Sequence, residues 1–323
     1  MHNLFIVNPK AGKRNFIMNL IKDIEAYFAS HKDDTYEIKV CEHREETTSY
    51  AKCEAQKGKE VRIFACGGDG TTNNVLNGIA GYPNVQLGII PKGTGNDFLK
   101  TFGDVSPFYS IEKQMNGSVI KIDAIKAGDY YALNQASMGM DAAVCYHKDR
   151  LGHIPFVKGK GAYIVALLYT FLFSLNHYLT VQIGDDEPVS SKYLFAIGAN
   201  GRYCGGGFNS APKALVSDGI LDCLSVKSVS RFRILSLLSK YANGKHINLP
   251  ICTYKKAEKI TIKAEKPTYV NLDGEVVMAE EITFSVIPNF INFIVPDLCV
   301  SPNFNDKKSI KSKKKAFSLQ MEK

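Results

Sequence analysis

None of the eight cysteines stands in a C-x-x-C pair, and none of Cys41, Cys53, Cys66, Cys145, Cys204, Cys223, Cys252 and Cys299 belongs to a Cys/His cluster of zinc-site spacing. That excludes a disulfide scaffold and leaves scattered reduced thiols, which fit a cytosolic chain. A run of about 20 apolar residues, the length that crosses a bilayer, is also missing. The longest apolar stretch is 161–175, and it holds Tyr163, Tyr169 and Thr170. It reads as a buried helix, with an interfacial helix touching lipid as the other reading. The N-terminus lacks the basic region and the longer apolar core of a signal peptide, so export is not expected. No repeat of 20–50 residues is present. A basic face spread through the fold is absent too. Net charge is +8, but residues 306–323 hold seven Lys against Asp306 and Glu322, so +5 sits in that tail and +3 in the rest. A nucleic-acid partner is therefore not expected.

What is present is an ordinary globular composition: 323 residues, 45% hydrophobic and 22% charged. That length suggests two domains. Residues 4–7, 36–40, 61–66 and 85–90 read as strands. Residues 16–28, with Ile17, Leu20, Ile21 and Ile24 at helical spacing, and residues 73–80 read as helices. Alternating strands and helices predict a parallel sheet covered on both faces, hence an α/β domain. From about residue 120 the pattern becomes short strands between Gly, Asp and Pro turns: 120–125, 130–135, 180–183, 193–199, 221–225, 259–263, 268–272 and 281–286. Helical segments at 161–175 and 231–241 interrupt them. This predicts a β-rich, sandwich-like second domain. The expected division is 1–122 and 123–289, with 290–305 packing back onto the first domain and 306–323 a disordered basic tail.

Three loops in the first domain follow strands, and ligands of open α/β sheets bind beyond the strands' carboxyl ends. Asn8-Pro9-Lys10-Ala11-Gly12-Lys13 leads into a helix whose N-terminus favours anions, and Lys10, Lys13 and Arg14 add positive charge. It lacks the Walker A spacing, and alone it equally suits a plain strand-to-helix turn. Gly67-Gly68-Asp69-Gly70-Thr71 places three glycines in four positions, which is costly unless backbone must approach a ligand. Asp69 among them serves no packing role and suits Mg²⁺, which takes carboxylate and phosphate oxygens. Thr71 suits a helix cap or a phosphate contact. The third loop, Pro91-Lys92-Gly93-Thr94-Gly95-Asn96-Asp97-Phe98, is by itself as consistent with a helix cap at Asn96 or Asp97.

The ordered set N-P-K-A-G-K, G-G-D-G-T and G-T-G-N-D-F resembles the catalytic domain of the diacylglycerol kinase family, shared by bacterial lipid kinases, sphingosine kinases and ceramide kinases. The resemblance runs from about residue 3 to 296. G-G-D-G-T also occurs in NAD kinases and, as a close variant, in phosphofructokinases, so it fixes the fold group and not the substrate. Gly205-Gly206-Gly207, Pro212 and Asp218-Gly219-Ile220-Leu221-Asp222 look like the family's G-G-G…P…D-G-x-L stretch. Asn271-Leu272-Asp273-Gly274-Glu275 looks like its late L-D-G-E motif, and Lys121-Ile122-Asp123 is also family-like. Read without the resemblance, Asp218-Gly219 and Asp273-Gly274 are hairpin turns.

The resemblance implies an ATP- and Mg²⁺-dependent lipid kinase of the cytoplasm, associated peripherally with the inner face of the membrane, with diacylglycerol as the foremost acceptor. Phosphatidylglycerol and sphingoid-type lipids remain alternatives. It implies that ATP is held by Asn8, Pro9, Lys10, Ala11 and Gly12, by Gly67, Gly68, Asp69, Gly70, Thr71, Thr72, Asn73 and Asn74, and by Thr94. It makes Glu275 the general base, Asp69 the anchor of the phosphate-bridging Mg²⁺, and Asp273 a metal or positioning carboxylate. A structural Mg²⁺ is implied at Asp218 with the carbonyls of Leu215 and Ile220. Two positions depart: the family's L-N-E is Thr72-Asn73-Asn74 here, and Cys41 falls where a family Thr stands in one gapless register. The rival readings are an NAD kinase and a non-catalytic lipid- or nucleotide-binding regulator. A homodimer is left open. Six Lys between 307 and 315, followed by Phe317 and Leu319, suit either a solvated tail or a tether to anionic lipid.

Overall fold

Continuous apolar runs in the first 91 residues form buried parallel strands, because both faces of such a sheet are covered. In the computed structural model, which describes residues 1–11, 14–92, 96–151, 160–173, 175 and 177–296, the chain opens β1 (His2–Val7), α1 (Arg14–Ser30), β2 (Thr35–Val40), α2 (Arg44–Gln56), β3 (Val61–Gly67), α3 (Asp69–Ile79) and β4 (Val85–Pro91). Strand order is β2-β1-β3-β4, with every neighbour parallel. Alternate side chains of β3 serve opposite layers. Ile63 and Ala65 join a core with Ala51, Ala55, Val75 and Leu76 of α2 and α3. Phe64 and Cys66 join Leu20, Ile24 and Phe28 of α1 on the other face. The i, i+4, i+8 spacing of those α1 residues explains why this helix lies flat on the sheet.

After α4 (Ile111–Met115) come β5 (Ser118–Ala127), β6 (Tyr130–Ala132), β7 (Gln135–Gly139), α5 (Met140–Leu151), α6 (Lys160–Phe173), β8 (His177–Ile183), β9 (Val189–Ala199), β10 (Leu221–Lys227), α7 (Arg231–Ala242), β11 (Cys252–Ala257), β12 (Lys259–Leu272) and β13 (Glu275–Val295). These strands pair antiparallel, in the order β11-β10-β9-β7-β12-β13, with β8 beside β9 and β12 and β5 beside β13. Their inner side chains, among them Met138, Val181, Tyr193, Ile260 and Phe284, form one core. A second core, with Phe195, Ile197, Leu224 and Ile234, lies under α7. The expected parallel α/β half and β-rich half are both present.

Three readings change in detail. The helix expected over 73–80 begins at Asp69, because the Asp69 carboxylate occupies the first turn, where the helix dipole favours negative charge. The strand expected over 130–135 is two strands, interrupted at Leu133 and Asn134, whose amides turn toward Asp273. The runs 259–263 and 268–272 are one strand with a register shift between Lys263 and Thr268. β13 is 21 residues long. It begins at Glu275 against β12 and ends parallel to β4 at Asn292 and Phe293, so one strand belongs to both halves.

Candidate active site

The first two loops meet at a hydroxyl. Asn8 Nδ2 donates to Thr71 Oγ1 at 3.2 Å, and its Oδ1 accepts from Lys10 N at 2.9 Å. Thr71 in turn lies over Gly67, where an added Cβ would stand 2.3 Å from Thr71 Oγ1. Glycine at 67 is thus required by a close approach within the loop. Gly12 and Thr94, both expected at ATP, lie outside the described residues, as does Lys13.

The third loop closes on Asp69. Lys92 N donates to Gly67 O at 2.8 Å. Asn96 N and Asp97 N donate to the two Asp69 oxygens at 2.8 and 3.2 Å. Burial raises the Asp69 carboxyl from 3.8 to about 6, with the neighbouring Asp97 adding to the rise and those two amides opposing it. Asp97 itself joins the halves. Its Oδ1 pairs with Lys100 Nζ at 2.5 Å, and its Oδ2 accepts from Gly206 N at 2.7 Å. Gly205, Gly206 and Gly207 have φ of 58, 88 and 122°, values an L side chain rarely adopts. The G-G-G stretch is therefore a backbone hook onto the third loop. Asp97, read from sequence at most as a cap, is its partner.

The late motif reaches the same place from the second half. Asp273 sits at φ +53° and accepts Leu133 N at 2.5 Å, Asn134 N at 3.1 Å and Gln135 N at 2.8 Å. Burial raises its carboxyl despite those amides. Gly274 N donates to Asn271 Oδ1 at 2.7 Å, completing the turn. Glu275 then projects toward the second loop: a Cβ on Gly70 would stand 3.1 Å from Glu275 Oε1. Glu275 Oε2 pairs with Arg44 Nη1 at 2.8 Å. Arg44 carries no motif and starts an unremarkable polar helix, so nothing in the sequence signals its place.

Among the other nucleotide-site candidates, Thr72 bonds Gly68 O through its hydroxyl at 3.3 Å, and Asn73 Nδ2 donates to Tyr131 O at 3.0 Å. Both residues are buried. Asn74, half-buried, offers its carbonyl to Thr48 Oγ1 at 3.1 Å. Pro9, Lys10 and Ala11 form the turn after β1, with Lys10 Nζ 3.9 Å from Glu42.

Asp218 lies apart from these loops, in a second polar cluster. Its Oδ2 pairs with Lys256 Nζ at 2.6 Å, while its Oδ1 is buried without a partner among the described residues. Asp222 accepts the Tyr254 hydroxyl at 2.6 Å, and its Oδ2 lies 3.6 Å from Lys256 Nζ. An unpartnered buried carboxylate oxygen fits a hard cation that takes oxygen ligands. Among the described residues no three His, Cys, Asp or Glu side chains converge on a metal. A cation here would therefore need backbone oxygens, as the Leu215 and Ile220 expectation has it. Asp123 belongs to this cluster: it accepts Gly219 N at 2.7 Å and Asn289 N at 2.8 Å.

Sequence reading missed an apolar cavity of about 160 Å³ in the second half. Met140, Val144, Leu167, Phe195, Leu237 and Tyr241 are part of its wall. Asp141, Gly205 and Asn271 also line it, so the wall adjoins both the hook on Asp97 and the turn that carries Glu275. Burial lifts the Asp141 carboxyl to about 6, and its Oδ1 has no partner among the described residues.

Comparison with known proteins agrees with this layout. The profile of the diacylglycerol kinase catalytic domain matches residues 2–127, and that of the YegS C-terminal NAD kinase beta sandwich-like domain matches 134–295. A probable YegS-like lipid kinase of Shewanella frigidimarina is 28% identical over 243 residues, covering 74% of this chain and 77% of its own. A diacylglycerol kinase of Staphylococcus saprophyticus is 28% identical over 277 residues, 84% and 87% of the two chains. A Bacillus anthracis structure solved as a candidate diacylglycerol kinase is 25% identical with a TM-score of 0.71, covering 93% of this chain and 98% of its own. The chain belongs to the diacylglycerol kinase family of lipid kinases.

Proposed function

We propose that this protein transfers the γ-phosphate of ATP to the hydroxyl of a membrane lipid, with diacylglycerol as acceptor and phosphatidic acid as product. The observation that carries the reading is the approach of Glu275, from the second half of the chain, to Gly70, the residue after Asp69, beside an apolar cavity. Phosphoryl transfer needs positioning and charge neutralisation more than covalent help from the protein. Residues 8–12 and 67–74, with Thr94, cradle the nucleotide phosphates. Mg²⁺ would supply charge neutralisation on the transferring phosphate, and Asp69 is the carboxylate that would hold it. Glu275 accepts the proton as the acceptor oxygen attacks the γ-phosphorus, the bond to the bridging oxygen breaks, and ADP leaves. Asp273, with its oxygens engaged by three backbone amides, positions the turn that aims Glu275. Asp218, with the Leu215 and Ile220 carbonyls, is proposed as a structural Mg²⁺ site.

The cavity favours a lipid over a soluble dinucleotide, since most of its lining side chains are apolar. Its 160 Å³ is small beside two acyl chains, so only part of the acceptor enters and the rest stays in the bilayer. That requires contact with the inner membrane face from the cytoplasm. The test is phosphate transfer from labelled ATP to total lipid extract, with the product identified by mass. Labelled phosphatidic acid supports the reading. Transfer to NAD without lipid refutes it, as does nucleotide binding without transfer to any lipid.

A further inference from the structure

Two helices of the second half leave an apolar face uncovered. On α7, Phe232 is 87% exposed, Leu235 56% and Leu238 39%. They recur every three residues and so share one side of the helix, while Ile234 is buried beneath. On α6, Val165, Leu168, Tyr169 and Leu172 are exposed at i, i+3, i+4 and i+7, again one face. The two helices are joined: Arg231 donates through Nε to Phe171 O at 3.1 Å and through Nη2 to Leu172 O at 2.8 Å. Single exposed apolar residues are normal, but seven on two tied helices form a patch of the kind that marks an interaction surface.

Charge and position say what covers it. Neither helix contains an acidic residue, and α7 exposes Arg231, Arg233 and Lys240 around the patch. The inner sides of the same helices, Leu167, Ile234 and Leu237, line the apolar cavity, and Leu238 is both exposed and part of that lining. The patch is thus continuous with the site proposed for the acceptor. We propose that the α6–α7 face docks on an anionic bilayer, with Phe232, Leu235, Leu168 and Leu172 entering the acyl boundary and Arg231, Arg233 and Lys240 meeting lipid phosphates. A second copy is the weaker occupant, because a symmetric contact would set the three cations of one chain against those of the other. Docking there presents the cavity to the membrane, so an acceptor enters without crossing water. This deepens the lipid kinase reading but does not depend on which lipid is phosphorylated.

The chain contains no tryptophan. A Phe232→Trp variant of the full chain therefore reports from this face alone. With no nucleotide or acceptor present, its emission should shift to the blue on vesicles of three parts phosphatidylcholine to one of phosphatidylglycerol, and brominated acyl chains should quench it. Phosphatidylcholine alone should give a smaller shift. The same response is expected in a chain ending at Asn305, which lacks the basic tail. Phe232→Ser with Leu235→Ser should weaken vesicle binding by about a hundredfold or more, since two apolar side chains no longer leave water on docking. Transfer to detergent-dispersed lipid should be unchanged in that double variant. An unshifted spectrum overturns the proposal, as does a shift that disappears with the tail. Burial of the new tryptophan by concentration alone, without vesicles, overturns it in favour of self-association. Vesicle insertion in a protein that phosphorylates no lipid would retain the docking face and refute only the kinase reading.

Discussion

Asp69→Asn sets stability against function at one atom pair. In the fold the Asp69 carboxyl is raised from 3.8 to about 6, chiefly by burial. Each pKa unit is about 1.4 kcal/mol, so the ionised form is disfavoured in the fold by about 3 kcal/mol relative to the open chain. The sign follows from proton uptake. The native state binds this proton more tightly than the unfolded state, so ionisation costs stability progressively from about pH 4 upward, and the full cost is present above about pH 6. Asparagine removes the charge but cannot satisfy both amides, Asn96 N–H and Asp97 N–H, and the lost bond costs about 1 kcal/mol. Nucleotide-free, magnesium-free Asp69→Asn should therefore be about 2 kcal/mol more stable than wild type at pH 8, and the gap should narrow to under about 1 kcal/mol at pH 5. Turnover should fall by about 10³ or more, because a ligand of the phosphate-neutralising cation is worth several kcal/mol in the transition state. Urea unfolding at the two pH values, with chelator present, measures the first effect, and labelled-ATP transfer at pH 8 measures the second. A variant less stable than wild type at pH 8, or a gap that ignores pH, would refute the burial argument. Near-wild-type kcat would refute the assigned role.

Glu275→Gln should lower kcat by about 10²–10⁴ with nucleotide affinity retained, the signature of a lost general base; calorimetric loss of ATP binding with kcat intact would make Glu275 a nucleotide ligand instead. Asp218→Ala should shrink the difference in melting temperature between magnesium and chelator, because a cation that binds only the native state stabilises it by mass action; an undiminished difference would place the stabilising metal elsewhere. Asp273→Ala should be among the most destabilising single changes, by about 3 kcal/mol or more, since the backbone N–H groups of Leu133, Asn134 and Gln135 lose their acceptor together. Normal chemical-denaturation stability in that variant would show that water replaces the carboxylate.

Most of the fold was legible because its signals are local. Continuous apolar runs marked β3 and β4, and the spacing of Leu20 and Ile24 marked α1. The division into α/β and β-rich halves followed from the change of period near residue 120. What the pattern could not show was the return of β13 to pair with β4, because a 21-residue strand shared by two cores has no periodic signature. At the site, glycine density around Asp69 stood out as costly unless used, whereas the Asp273-Gly274 turn read by itself as an ordinary hairpin and gained a role only through the family resemblance. Arg44 did not, since an arginine at the start of a polar helix is ordinary until the chain folds and brings it 2.8 Å from Glu275. The apolar cavity was equally hidden. Its walls come from α5, α6, α7 and the strands beside them, and each segment alone reads as core.

β13 explains how one carboxylate from the second half is held over a loop of the first. Glu275 is the first residue of the strand, and eighteen residues on, Phe293 pairs in parallel with Leu87 of β4. β4 in turn leads into the loop whose Asn96 and Asp97 amides hold Asp69. Asp69 and Glu275 are thus connected through hydrogen-bonded sheet and the loop that follows it. Two further ties flank that path: the Arg44–Glu275 ion pair on one side and the Asp97–Gly206 hydrogen bond on the other. Both cross between the halves, and both involve residues within the site or next to it. An ion pair this exposed contributes little to stability, at most about 1 kcal/mol. Its consequence is geometric: Arg44 limits where Glu275 can point. The arrangement places the energetic burden on the buried Asp69 and Asp273, and leaves Glu275, the proposed general base, in a half-exposed position open to proton exchange.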